Sequence, residues 1–334
     1  MKEKVSIIGA GSWGTTLAVI LAKKGITVEL HSVFREHNIS MLKTRQNKLF
    51  LKGIVFPSGL NVNLSLEKTL DNKIIILAIP VKFLRGVLRR VKRSGISFKD
   101  KIFVSVAKGI EVNSLKRPSQ IVKEELGRVR ITVLSGPTIA KEVVRGIPTA
   151  AVVASSDRKA AREVQRILNT TRFRVYYHYD IVGVEVAGAL KNIIAIACGI
   201  SDGLGFGTNT KASLLSRGLA EVIRLGKKMG ADVETFRGIS GLGDLATTCF
   251  SSYSRNRFVG EKIGKGKKLK DILRKMNMVA EGVNTVRSAY ALSKKYKVDM
   301  PITKEVYYVL YKNKNPLSAV NDLMTRPLKA ELTR

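Results

Sequence analysis

Apolar residues fall into two patterns along this chain. Up to about residue 180, short and nearly continuous apolar runs alternate with segments of helical spacing. Beyond it, long helical segments separated by glycine turns carry the chain to its end. The runs are KVSIIG from Lys4, Thr27 to His31, Lys73 to Pro80, Lys101 to Gly109, Arg130 to Pro137 and Thr149 to Ser155. Runs of this length and content suit buried, mainly parallel strands. Between them, Lys82 to Arg93 sets Phe83, Leu84, Val87, Leu88 and Val91 on one side, as in a solvated helix covering a sheet. Its Lys and Arg face also has the composition of a membrane patch. The pattern predicts an α/β Rossmann-type, doubly wound and mainly parallel sheet in a domain spanning 1–180, followed by a mainly α-helical domain spanning 181–334. No repeat or low-complexity linker separates them, so a long helix starting near 180 is expected to join the two.

That helix is expected to run through Glu185 to Thr210, where Ala, Leu and Ile recur at helical spacing around a Lys191–Asn192 pair. Lys191 has no acidic neighbour at i±3 or i±4 to pair with. Either it snorkels from a solvated edge, or it is buried, and desolvation then lowers its pKa into a range useful for chemistry.

Charge and composition narrow the picture. Hydrophobic residues make up 45% and charged residues 25%, ordinary for a globular chain. No apolar run reaches the roughly 18 residues of a membrane-spanning helix, and the N-terminal apolar stretch runs straight into a glycine turn, unlike a signal peptide. Lys and Arg number 59 against 26 acidic residues, a net charge of +33 that favours anionic partners. The positive residues are spread through every segment, with no arginine-rich arm or RNP-type aromatic motif to mark a specific nucleic-acid site. Cys198 and Cys249 lack CxxC spacing and read as reduced core thiols of a cytosolic protein. His31, His37 and His178 show no HxH or HExxH spacing, so no metal site is expected.

The first run opens into GAGSWG, Gly9 to Gly14, followed by a helical segment and a second strand. Strand, G-x-G-x-x-G, helix and strand in about 30 residues is the context of a dinucleotide site. Gly9 permits the tight turn, Gly11 the approach of a pyrophosphate, and Gly14 close helix–strand packing. An NAD-selective second strand ends in Asp or Glu. This one ends in His31-Ser32-Val33-Phe34-Arg35, with Glu29 inside the strand and Arg35 able to meet a 2′-phosphate, which leans toward NADP or dual use.

Two candidates follow strands at their carboxyl ends, where open α/β sheets gather active residues: Lys108, and Ser135-Gly136-Pro137-Thr138. In the second half, Asp244 lies in a glycine-flanked turn where it can accept from an ammonium such as that of Lys191, and Thr248 follows one helical turn on. Ser254-Arg255-Asn256 has the donors of a phosphate clamp. Glu281, in VAEGV, is a further acid near the site or a charge at a helix start.

These motifs resemble the NAD(P)-dependent glycerol-3-phosphate dehydrogenase family over essentially the whole chain. They comprise GAGSWGT at 9–15, AKG at 107–109, SGPTIAKE at 135–142, GALKNIIAIACGISDGLGFGTN at 188–209, GLGDLATTC at 241–249, SRNR at 254–257, AEG at 280–282 and MPIT at 300–303. The resemblance implies reversible hydride transfer between NAD(P)H and C2 of dihydroxyacetone phosphate, feeding glycerophospholipid synthesis, with Lys191 as proton donor and acceptor. It implies that Lys108, Gly136, Thr138, Asp244, Ser254, Arg255 and Asn256 contact the substrate, with Asn192 and Thr248 in support. Gly9, Gly11, Ser12, Trp13, Gly14, Lys108, Ala140, Arg255, Val279 and Glu281 would hold the coenzyme. A cytoplasmic homodimer is also implied. The family usually has Trp, a small residue and Arg or His at the end of the second strand; His31, Ser32 and Val33 stand there, which leaves NADH against NADPH open. Two other readings compete. One is a Rossmann dehydrogenase for a hydroxyacyl or ketoacid substrate, which needs no SRN clamp. The other is a catalytically silent binder of nucleic acid or membrane that exploits the charge.

Overall fold

The strand β1 (Lys4–Ile8) lies inside the sheet, bonded on one side to β2 (Thr27–His31) and on the other to a strand reached much later in the chain. In the computed structural model, which describes residues 3–328, 330 and 331, the remaining strands are β3 (Gln46–Asn47), β4 (Leu51–Val55), β5 (Leu60–Val62), β6 (Ile74–Leu77), β7 (Ile102–Ser105), β8 (Arg130–Ser135), β9 (Thr149–Ala154) and β10 (Phe173–His178). Eight of them form one sheet in the order β10-β9-β8-β7-β6-β1-β2-β5, and β3 and β4 make a separate antiparallel pair. All neighbours from β5 to β8 run parallel; β9 is antiparallel to β8, and β10 is parallel to β9. The strand order reverses between β1 and β6, so the crevice at their carboxyl ends is the switch point where such sheets bind ligands.

Period-two alternation feeds a core on each face. In β6, Ile74 and Ile76 join Leu17, Leu21 and Val164 on one side, while Ile75 and Leu77 join Leu84, Leu88 and Phe103 on the other. The helix Val81–Arg93 covers that second face with Val81, Leu84, Val87, Leu88 and Val91 buried. Phe83, expected on the same side, is 48% exposed and lies under the Lys82 ammonium, because it falls outside the buried arc. The runs β3–β5 and β10 went unpredicted. β3–β5 are short, and FRVYYH in β10 mixes Arg with aromatics instead of a plain apolar run.

A third core belongs to the helical half and surrounds the central helix Ile181–Gly203, on which Val184 through Ser201 are buried. Contrary to the sequence expectation, this helix is long and apolar enough by length and composition to cross a membrane; here other helices bury nearly all of it. It is also shorter than expected. The helix stops at Gly203, Gly205 takes φ +81°, and a new helix, Thr208–Lys228, begins before Thr210.

Glycines set how close its partner comes. Cβ atoms at Gly199 and Gly203 would lie 2.0 and 2.3 Å from the carbonyl oxygens of Arg257 and Glu261 on the helix Arg255–Gly264. Gly260 and Gly264 on that helix would lie 2.1 and 2.5 Å from Ile196 O and Ile200 O. Backbone therefore meets backbone along this crossing, which brings the start of the Arg255 helix beside Lys191 and Asn192.

Candidate active site

Lys191 is 6% exposed, which excludes the snorkelling reading. Its Nζ donates to Asp244 Oδ1 at 2.5 Å and to Thr248 Oγ1 at 2.5 Å. Asp244 opens the helix Asp244–Phe250, after a π-helical turn at Ile239–Gly243, and Thr248 follows one turn later. Its hydroxyl returns to Asp244 O at 2.7 Å, leaving its lone pairs toward the ammonium. The other oxygen of Asp244, Oδ2, takes Lys108 Nζ at 2.8 Å and Ser135 Oγ at 3.4 Å. One carboxylate thus holds two ammonium groups, one from each half of the chain. Burial lowers the pKa of Lys191 to about 8; the Asp244 charge raises it and the Lys108 charge lowers it.

Lys108 leaves the end of β7 and also donates to Gly136 O at 2.7 Å and Thr138 Oγ1 at 3.4 Å. Gly136 adopts φ +134°, where a Cβ would approach Ala151 Cα to 3.0 Å. Gly188 is needed for a related reason: a Cβ there would stand 2.8 Å from Ser135 Oγ. Ser135 is the partner that residue-type reasoning underweighted, since its signal lay only in its place at the tip of β8.

Asn192 and Asn256 are engaged with one another. Asn192 Nδ2 donates to Lys108 O at 3.0 Å, Asn256 Nδ2 to Asn192 Oδ1 at 2.8 Å, and Gly282 N to Asn256 Oδ1 at 2.9 Å. Asn256 is therefore turned inward to tie three helices and the Lys108 loop together, so it does not stand in an open fork. Ser254 caps the helix by accepting from Arg257 N at 3.2 Å, which leaves its own proton to donate. Arg255 is exposed to solvent, and its guanidinium makes no hydrogen bond or ion pair among the described residues. Partial desolvation lowers its pKa while the Glu281 charge raises it. An accessible, unpaired guanidinium has the donors to take an anion.

The dinucleotide turn sits at the switch point. Gly9 takes φ +110°, and a Cβ there would lie 2.3 Å from Ala78 O. At Gly14 a Cβ would lie 1.9 Å from Gly9 O, so helix Ser12–Lys23 packs as closely as it does only with glycine. At Gly11 a Cβ would meet nothing, so the protein itself has no need of glycine there. Gly11 caps the helix without a side-chain hydrogen bond, and the first turn carries no acid, so its amides face an open space. This arrangement fits a pyrophosphate. Ser12 Oγ donates to Phe50 O at 2.7 Å and contacts Met278 Sδ at 3.4 Å, next to half-buried Val279. The Trp13 ring packs edge-on against Phe173, and Ala140 O accepts from Thr16 Oγ1 at 3.3 Å. Glu281 Oε1 accepts from Val81 N at 2.9 Å, and burial pushes its carboxyl up to about 7. In the middle of β2, Glu29 accepts from Asn61 Nδ2 on the edge strand at 2.9 Å, so the strand's tip carries no acid. Ser32 is buried and Arg35 exposed at the next helix start.

The cleft thus brings together a buried lysine held by a carboxylate, an unpaired guanidinium and a glycine turn at a helix start. Known proteins have similar chains. Residues 4–161 match the family described as NAD-dependent glycerol-3-phosphate dehydrogenase N-terminus, and residues 180–321 match its C-terminus. The chain is 48% identical over 332 residues to a glycerol-3-phosphate dehydrogenase (NAD(P)+) of Prosthecochloris aestuarii, covering 98% of this chain and 99% of that one. It is 49% identical over 339 residues to the enzyme of that name from Geobacter sulfurreducens, covering 99% of each. The crystal structure of glycerol-3-phosphate dehydrogenase from Coxiella burnetii superposes with a TM-score of 0.93 at 36% identity, over 97% of this chain and 99% of that one.

Proposed function

This chain belongs to the NAD-dependent glycerol-3-phosphate dehydrogenase family, and from that premise we propose how its residues divide the work. It is an NAD(P)-dependent oxidoreductase that interconverts dihydroxyacetone phosphate and sn-glycerol 3-phosphate. The nicotinamide coenzyme supplies or takes the hydride when bound; the chain orients two ligands, holds a dianion and moves one proton.

Lys191 is the acid and base. Its ammonium stabilises the charge that develops on the C2 oxygen during reduction and donates the proton; oxidation of glycerol 3-phosphate uses the neutral amine. Asp244 and Thr248 aim it, and Lys108 gives a second positive charge beside the same oxygen. Gly136 and Thr138 line the substrate on the side of the sheet. Arg255, with the Ser254 hydroxyl, takes the phosphate, and Asn256 with Asn192 keeps that helix start in register. Remote binding of the phosphate positions C2 for reaction. Gly9, Gly11, Ser12, Trp13 and Gly14 hold the pyrophosphate turn, with Ala140, Val279 and Glu281 closing around it.

The observation that carries the reading is the double hold of Lys191 by Asp244 and Thr248, with Lys108 on the remaining carboxylate oxygen. The test is nicotinamide absorbance with dihydroxyacetone phosphate against a ketoacid, run with NADH and NADPH in parallel. Arg255→Ala is expected to raise KM for dihydroxyacetone phosphate by about tenfold or more, the loss of a charged hydrogen-bonded contact. An unchanged KM contradicts the phosphate role. With no acid at the β2 tip and Arg35 free to approach it, NADPH is expected to serve at least as well as NADH. The reading extends to a cytoplasmic homodimer supplying glycerophospholipid synthesis, with the dinucleotide held by 1–180 and the substrate by 181–334. The two free, buried thiols support a reducing compartment.

A further inference from the structure

A cavity of about 370 Å³ opens in the helical half among the end of the central helix and the helices Thr208–Lys228, Pro301–Tyr311 and Pro316–Met324. Small-molecule sites occupy about 300–1,000 Å³. None of the residues assigned to the dehydrogenase site lines it. Its walls include Ile200, Leu214, Val306, Val309, Val320 and Leu323, and exposed Met324 and Leu328 extend this apolar surface outward.

The polar groups in the wall are unevenly committed. Ser201 is 3% exposed, and its hydroxyl has no hydrogen-bond partner, an arrangement that buried polar groups rarely keep. Arg217 reaches the main-chain oxygen of Glu331 at 3.2 Å, and Arg224 that of Asp299 at 2.9 and 3.1 Å. Arg326 pairs with Asp299 Oδ2 at 2.8 Å. Both glutamates of the wall are already bound. Glu221 accepts from Ile302 N at 2.6 Å, Thr303 N at 3.1 Å and Thr303 Oγ1 at 2.9 Å, while Glu305 pairs with Lys314. The lining thus combines methylene and methyl groups with three guanidinium groups and no spare carboxylate.

We propose that this cavity is a second ligand site, for a medium-length alkyl carboxylate. The chain lies against Ile200, Leu214 and the Val306–Val309 face, and the carboxylate meets Arg217 with its neighbouring arginines. The site goes beyond the dehydrogenase reading and stands without it. It does touch the same element: about 15 Å of helix separates Ser201 from Lys191, so a ligand here bears on the helix that carries the acid–base residue.

The test is calorimetric titration of the full chain with decanoate, using 1-decanol and butyrate as comparison probes. Decanoate is expected to bind saturably at a single site, with both comparison probes weaker by about tenfold or more. Lys191→Ala should bind decanoate as the wild type does, separating this cavity from the active site. Leu214→Trp, which fills the cavity, and Arg217→Glu should each weaken binding by about tenfold or more. Arg326→Glu, on a more exposed side chain, serves if either fails to fold. Absence of saturable binding, or binding that Leu214→Trp leaves unchanged, overturns the proposal. So does a dimer that ignores decanoate and that Leu214→Trp splits in sedimentation, because a second copy of the chain would then be what covers the cavity.

Discussion

Lys191 stands between opposing influences, of which removal from water is the largest. Removal from water disfavours its charge, Asp244 restores it, and Lys108 takes part of that back, leaving a pKa of about 8. The sign of the pH dependence follows. Reduction of dihydroxyacetone phosphate needs the ammonium, so its kcat/KM should be level below about 8 and fall above it. Oxidation of glycerol 3-phosphate needs the amine and should rise through the same range. Rates in both directions across pH check this, and a shared limb in both would contradict it. Asp244→Asn removes the raising influence, so the limb should move to lower pH. The glycines of the turn make a second contrast. Gly11→Ala meets open space and should fold normally while losing coenzyme affinity, whereas Gly14→Ala drives a Cβ to 1.9 Å from Gly9 O and should lower Tm. Equal effects on Tm and coenzyme binding in both variants would refute the assignment.

The site depends on how two helices cross. On an isolated helix Gly→Ala adds about 1 kcal/mol of stability, but an extra methyl in a packed interface costs about 1–3 kcal/mol. At Gly199 the obstructing atom is the Arg257 carbonyl, 2.0 Å from the new Cβ, and a backbone atom cannot swing aside. The packing loss should therefore win. Gly199→Ala should lower Tm and also raise KM for the phosphate substrate, because Arg255 leads the displaced helix; thermal melts with steady-state kinetics check both. Little of this crossing was legible in the sequence, where glycines inside GISDG read only as punctuation. Sequence period identified the strands from β1 to β9 that are long and apolar, because a fully buried strand needs nothing else. It missed β10, whose Arg174 and Tyr176 face outward at the sheet edge. It also carried the central helix past Gly203, since apolar spacing continues through Phe206 while the backbone turns left-handed at Gly205.

Across the whole molecule, the three largest cores frame one cleft. Two flank the sheet, one surrounds the central helix, and Asp244 joins lysines from both halves of the chain. The residues of the candidate site stood out in the motifs, but the contacts among them did not. Asn256, grouped in sequence with the phosphate donors, spends its amide on Asn192 and Gly282, a role that depends on long-range contacts. Coenzyme choice is expected to rest on the β2 tip, which carries no acid for a ribose 2′-hydroxyl, since Glu29 lies mid-strand and is held by Asn61. The account turns on Lys191, and the molecule carries its own reporter for separating chemistry from binding, since Trp13 in the dinucleotide turn is the single tryptophan. The deciding measurement is turnover of dihydroxyacetone phosphate by Lys191→Ala, with coenzyme binding followed by Trp13 fluorescence in the same samples. The expected result is a loss of about 100-fold or more in kcat, the usual contribution of a proton-transfer residue, with coenzyme affinity nearly unchanged. Retention of more than about a tenth of the wild-type rate would contradict the role given to Lys191.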